Sequence, residues 1–257
     1  MLLFVLENHS ESEALASMPY LSSLAKRYGR TTNYHAITHP SLPNYLALAA
    51  GSTFGVQDDN EPSSHPLPGK SVFDQAIAHG LKAKLYAESM PGKCFLSSTA
   101  SYAVKHNPWA YFSGKQQRAH CRRYDVPMGS PAGGALAHDV AGGTLPRVGM
   151  AVPNICNDGH DCSLTTSDSW LHRWLPKIVA GRDYRAGRLA IAITFDEDDG
   201  GASNNVLMVV VSPRTNHVTA RASYTHYSWL RCAEEMLGLP PLRKAATARS
   251  LCAAFGL

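Results

Sequence analysis

The sequence predicts a single α/β domain built on a mainly parallel sheet with helices on both faces. Three observations predict it. First, "MLLFVL" (1–6), "RLAIAITF" (188–195) and "NVLMVVVSP" (205–213) are short apolar runs, as expected of strands buried on both faces. Second, segments with helical caps and stops alternate with them. Third, neither an internal repeat nor a linker divides the 257 residues, a length that suits one large domain.

The elements follow in order. After the first strand, Pro19 suits a first turn, Leu21, Leu24 and Tyr28 share one face, and Gly29 stops the helix. Pro40 keeps His39 out of helix, and Pro43 fits only a first turn. Ser41 is therefore expected as the cap of a helix over 42–50, with Gly51 as its end. In "SVFDQAIAHG" (71–80) Ser71 is the cap, Asp74 stands three residues later and Gly80 is the stop; "LKAKLYA" (81–87) reads as the next strand. Residues 113–150, rich in Gly, Pro, Ser and charge, are expected to form an irregular insertion. "GMAVPN" (149–154) reads as a strand and "SDSWLHRWLPKI" (167–178) as a helix. "YSWLRCAEEMLG" (227–238) is the last long helix, ended by Gly238 and two prolines.

Composition narrows the function. With 24 Lys and Arg against 20 Asp and Glu, the net charge of +4 favours anionic ligands mildly, and without a basic block it does not support nucleic acid as a partner. No apolar run reaches the length of a membrane span. The six cysteines fall into groups that suggest Cys94–Cys121, Cys156–Cys162 and Cys232–Cys252 bridges, and hence an extracytoplasmic protein. Free thiols in a cytosolic core are the competing reading. "LLFVL" starts directly after Met1, so no signal peptide precedes it, and the chain reads as a mature or trimmed form.

Chemistry gathers at two strand ends, where ligands bind in such sheets. "LLFVL" runs into Glu7, Asn8 and His9, and "AIAITF" runs into Asp196, Glu197, Asp198 and Asp199. Alone, the second cluster reads as a solvated acidic turn. If the two strands are parallel neighbours, the oxygens of Glu7, Asn8, Asp196 and Glu197 meet and suit a hard divalent cation. EF-hand, P-loop, G-x-S-x-G and H-E-x-x-H patterns are all absent or incomplete. His35 and His39 are expected to be loop histidines, because Pro40 prevents the helix that their spacing would need. His106, His160 and His226 lie among polar residues, and the loop around His160 would be clamped by a Cys156–Cys162 bridge.

"LENHS", "THPSLPNYLALAAGSTFGV", "HNPWAYF", "PNICNDGHDC", "TFDEDDGG" and "YTHYSWLRCAEEMLGLP" occur in that order and span nearly the whole chain. Together they resemble the phosphoesterase family of acid phosphatases, bacterial phospholipases C and phosphatidylinositol-phosphate phosphatases. The resemblance implies an alkaline-phosphatase-like fold, a three-layer sandwich. It implies Ser41 as nucleophile and metal ligand, with Glu7, Asn8, Asp196 and Glu197 completing the metal site. Asn44 would contact phosphate, with Asn107 and Asp161 as further substrate contacts, and His106, His160 and His226 would be catalytic. One oxygen-bound divalent cation is expected, Mg²⁺ or Ca²⁺ before Zn²⁺. The implied activity is hydrolysis of phosphate monoesters, small molecules or phosphoinositide headgroups, through a phosphoserine by a secreted enzyme. A phospholipase C-type diesterase and a non-catalytic phosphate- or cation-binding module are the alternatives.

Overall fold

The computed structural model describes residues 1–257. Its elements run β1 (Leu2–Leu6), α1 (Glu11–Ser17), α2 (Pro19–Arg27), β2 (Gly29–Thr31), β3 (Tyr34–His35), α3 (Ser41–Ala50), α4 (Val72–Ala78) and β4 (Ala83–Ala87). Then come α5 (Lys115–Tyr124), β5 (Asp125–Pro127), α6 (Ala135–Gly142), β6 (Val148–Val152), α7 (Leu164–Val179), α8 (Arg182–Arg185) and β7 (Ile191–Phe195). The chain finishes with β8 (Met208–Val211), β9 (Val218–Ala220), β10 (Tyr224–Thr225), α9 (His226–Leu237) and α10 (Cys252–Phe255).

Eight strands form one sheet in the order β5-β4-β6-β1-β7-β8-β2-β9. Every pairing is parallel except those of β8, which runs against β7 and β2. β1 lies at the centre, between β6 and β7, with Leu6 opposite Phe195. All five of its residues are buried, because helices lie on both of its faces. α1 and α2 pack with α7 in one layer, and α3 and α4 pack with α9 in the other. Phe4 meets Trp170 of α7 edge to face at 5.9 Å, one contact in a continuous core of 76 buried residues.

The stretch over 113–150 is not irregular, since it carries α5, β5 and α6. Its helices escape pattern reading because α5 buries only Cys121 and therefore shows no apolar stripe. The Cys94–Cys121 bridge ties α5 to the body instead. All three bridges pair as the sequence groups them. Within 205–213 only Met208–Val211 form a strand. Ser41 is not a cap: Pro40 holds that position, Ser41 is the first helical residue, and the Leu42 N–H donates to Asp59 Oδ1 at 2.9 Å.

Gly51 ends α3 in the left-handed region (φ 69°), and an added Cβ would lie 2.4 Å from the Leu242 carbonyl oxygen. Gly80 has a similar φ of 74° with nothing within reach of a Cβ. Gly80→Ala should therefore cost only the backbone term of about 1–2 kcal/mol. Gly51→Ala adds a backbone clash and should lower the thermal midpoint at least twice as far. Equal shifts in scanning calorimetry would contradict this packing.

Glu234 of α9 is fully buried, accepts the Leu242 N–H at 2.8 Å through Oε1 and leaves Oε2 without a partner. Burial pushes its carboxyl up to about 7. A carboxyl raised on folding contributes stability that is complete below its unfolded value and is lost as pH rises through about 7. Glu234→Gln should flatten the fall in melting temperature between pH 5 and pH 8.5.

Candidate active site

The parallel register of β1 and β7 brings their carboxyl ends side by side. The Asp196 N–H donates to the Leu6 carbonyl at 2.9 Å, and the Asn8 N–H donates to Asp196 Oδ1 at 3.2 Å. Asn8 sits in left-handed backbone (φ 57°), which turns the chain sharply past Glu7. Glu7, Asp196 and Glu197 are all buried. Ser41, at the N-terminus of α3, donates its hydroxyl to Glu7 Oε2 at 3.1 Å and to Glu197 Oε1 at 3.3 Å. Two strand ends and one helix start thus converge on a single hydroxyl.

Gathering these acids has electrostatic consequences. Burial, followed by repulsion from Glu7 and Glu197, holds the Asp196 carboxyl well above its ordinary value. Burial and Glu7 likewise push Glu197 up to about 8. Asp196 Oδ2 is buried without any partner. An orphaned carboxylate oxygen among mutually repelling acids has the chemistry to bind a divalent cation, and Glu7, Ser41, Asp196 and Glu197 could hold it. Asn8 supports that set through its backbone N–H.

Glu7 behaves differently from its neighbours. Burial would raise its carboxyl, but the His106 imidazolium and the Tyr45 hydroxyl, which donates to Oε1 at 2.5 Å, hold it below the usual range. His106 lies between Glu7 (3.3 Å) and Asp158 (3.2 Å) and stacks on the Tyr45 ring at 5.2 Å. Burial opposes its charge, yet the two carboxylates raise it to about 9. Around Glu7, it is Glu7, His106 and Asp158 whose ligand atoms lie within 4.8 Å of one another. With both carboxylates raising its hold on a proton, His106 pairs with them as an imidazolium.

The other expected residues fall into two sets. His160 and Asp161 reach the rim: His160 Nδ1 pairs with Asp161 Oδ1 at 2.7 Å, and Nε2 lies 3.4 Å from Lys105 Nζ. Asp161 is therefore a partner of His160. The remaining three face inward. Asn44 Oδ1 accepts the Ile37 and Thr38 N–H groups, and its Nδ2 donates to the Thr38 carbonyl at 2.7 Å and to Glu197 Oε2 at 3.3 Å. Its amide braces the loop ahead of Ser41. Asn107 is fully buried and donates to Tyr102 and Asp125, beside the Cys94–Cys121 bridge. His226 is fully buried between the Tyr34 hydroxyl at 3.1 Å and the Asp196 carbonyl at 2.6 Å, and burial lowers it to about 4. It is a neutral support behind Asp196.

Sequence reading missed four groups. His39 Nδ1 lies 2.9 Å from Glu197 Oε2 and its Nε2 lies 3.2 Å from Asp198 Oδ1. Pro40, read as a reason to discount His39, keeps it out of the helix in a bend beside the acidic turn. Tyr45 lies one helical turn past Ser41, a spacing that could have revealed it. Asp59 and Lys105 arrive from loops, with no periodic signal.

The fold is that of the alkaline phosphatase superfamily. A Vibrio parahaemolyticus member of it superposes with a TM-score of 0.66 at 10% identity, covering 95% of this chain and 69% of that one. A sulfatase described as putative, from Bacteroides thetaiotaomicron, superposes at 0.65 and 11% identity, covering 99% of this chain and 74% of its own. Residues 13–240 match the phosphoesterase family, and the chain belongs to it. It is 30% identical over 256 residues to a phosphatidylinositol-3-phosphatase of Mycobacterium tuberculosis, covering 97% of this chain and 80% of that protein. A phosphate-repressible acid phosphatase of Penicillium chrysogenum is 32% identical over 248 residues; this match covers 92% of this chain but only 58% of the fungal protein. The protein is accordingly a hydrolase of phosphoric esters.

The cation fit can be tested without turnover. Asp196→Asn removes one repelling charge, so the chelator-treated variant should melt above chelator-treated wild type. Adding millimolar Mg²⁺ or Ca²⁺ should raise the wild-type midpoint by several degrees and the variant's by much less. Equal cation-induced shifts would exclude Asp196 as a ligand.

Proposed function

We propose that the protein is a secreted, metal-dependent phosphatase that hydrolyses phosphate monoesters through a phosphoserine at Ser41. The observation that carries this reading is the Ser41 hydroxyl, at the start of α3 and bonded to carboxylates from two strand ends. The dipole of α3 adds positive potential for the phosphoryl oxygens, although Asp59 holds the Leu42 N–H and Pro40 and Pro43 have none to offer. A divalent cation bound there would supply Lewis acidity and offset the charge of the phosphoryl group.

Ser41 has a proton acceptor at hand in Glu7 or Glu197. Its Oγ attacks phosphorus in line, the bond from phosphorus to the alcohol oxygen breaks, and the alcohol takes a proton. We assign that proton to His160. It is about one-third exposed and contacts Asp161 and Lys105, whereas His39 is tied to Glu197. Water then attacks the phosphoserine from the vacated side and gives its proton to His160, while Ser41 leaves and takes back the proton held by the carboxylate. The names of the mycobacterial and fungal relatives support a monoester, with a phosphoinositide headgroup among the candidates. Three disulfides, which persist under oxidising conditions, support secretion.

Ser41→Ala should abolish release of p-nitrophenol from p-nitrophenyl phosphate, by about 10³-fold or more. It should do so without the cost of a lost cap, since Asp59 serves the helix start. Wild type quenched with radiolabelled phosphate should carry label at Ser41. Full turnover by the variant would reject the nucleophile, and faster cleavage of bis-p-nitrophenyl phosphate than of the monoester would favour the diesterase.

A further inference from the structure

Consecutive residues of one short helical turn, Val104–His106, deliver two cations to the surroundings of Ser41. His106 is directed at Glu7 and is buried beneath the hydroxyl. Lys105 takes the open side. Its Nζ lies 2.9 Å from Asp59 Oδ2, 3.5 Å from Ser41 Oγ and 3.4 Å from His160 Nε2. The Lys105 side chain is only 20% exposed, so it is not a solvated surface lysine that passes the site. Asp59 uses its other oxygen for the Leu42 N–H. One carboxylate therefore fixes both the start of α3 and the ammonium beside the nucleophile.

An ammonium carries three N–H donors. Asp59 occupies one, and the remaining two are directed toward Ser41 and the rim histidine, the region that a phosphoryl group attacked by Ser41 must enter. Monoesters and diesters differ at one oxygen. In a monoester it is unsubstituted and shares the dianionic charge. In a diester it carries a second organic group and accepts a hydrogen bond poorly. A fixed ammonium at that oxygen rewards the first and meets steric bulk from the second.

We propose that Lys105 binds the non-bridging phosphoryl oxygen that a diester lacks, and so selects monoesters over diesters. This rests on the reading of Ser41 as nucleophile, and it names what sets the substrate class of that site.

The test uses the full chain with its divalent cation present. Lys105→Met should lower kcat/KM for p-nitrophenyl phosphate enough to reduce its ratio to that for bis-p-nitrophenyl phosphate by about 30-fold or more. In the Ser41→Ala background, which cannot turn over, adding Lys105→Met should weaken binding of inorganic phosphate about tenfold or more by calorimetry. Lys105→Gln carries the same expectations and replaces the Met variant if that fails to fold. An unchanged ratio, or an unchanged phosphate affinity, overturns the proposal; the phosphate measurement decides alone where diester turnover is too slow to follow. Wild-type turnover by Ser41→Ala with undiminished phosphate binding to Lys105 would instead defeat the nucleophile and leave Lys105 as a phosphate contact.

Discussion

The parallel pairing of β1 with β7 is the constraint on which the rest of the structure depends. It places Glu7 and the Asp196–Glu197 pair at adjacent strand ends, inside a space from which the packed helices exclude water. Carboxylates gathered there cannot all be ionised without compensation, because each loses hydration and gains like-charged neighbours. The surrounding loops supply that compensation. His106 answers Glu7 from below, His39 answers Glu197 and Asp198 from the rim, and Lys105 takes the mouth through Asp59. Asp196 has only the Asn8 and Glu197 backbone groups and the His226-supported turn, and one of its oxygens has no partner. That residual imbalance is the reason we propose a cation there.

Much of this was legible because strand ends are local. An unbroken apolar run that stops at an acidic residue reports both the strand and the direction in which its carboxyl end opens, and that holds for Leu6–Glu7 and Phe195–Asp196. The start of the Ser41 helix was legible from its prolines, although the hydroxyl was assigned to the wrong bond. A residue type that caps helices in general is free for chemistry once a distant carboxylate, Asp59, does the capping. Such substitution depends on tertiary contact and leaves no mark in the local pattern.

Inward-facing residues are a separate case. The resemblance implied site roles for Asn44, Asn107 and His226, which lie within the blocks that carry it. On α3, however, Asn44 turns back against the loop over 37–40, and Asn107 points to Asp125, behind the Tyr45 stack of its neighbour His106. Alternation of direction along a tight turn separates adjacent side chains. The same alternation separates His106 from Lys105: the first faces Glu7 and the second comes within reach of Ser41.

The loop closed by Cys156–Cys162 shows how little chain is needed to hold these directions. Within it, the Asp158 carbonyl accepts the Glu7 N–H at 2.9 Å, its Oδ1 accepts the His160 N–H at 2.8 Å, and its Oδ2 faces His106 at 3.2 Å. One residue thus fixes the end of β1, the buried cation and the rim histidine together. Gly159 permits the turn at φ 101°, a backbone conformation that other residues rarely adopt, and an added Cβ would lie 3.3 Å from Ser167 Oγ. Beyond the bridge, Glu88 at the end of β4 accepts from Asn154, Asn157 and the Trp170 indole, which seats the loop on the sheet and on α7. A bridge spanning so few residues removes little chain entropy, so its contribution to global stability is small compared with that of the longer loops closed by the other two. Its effect is geometric. It keeps Asp158 in register with β1 while the solvent-facing side of the same loop carries His160, and so couples the rigid floor of the site to its open rim.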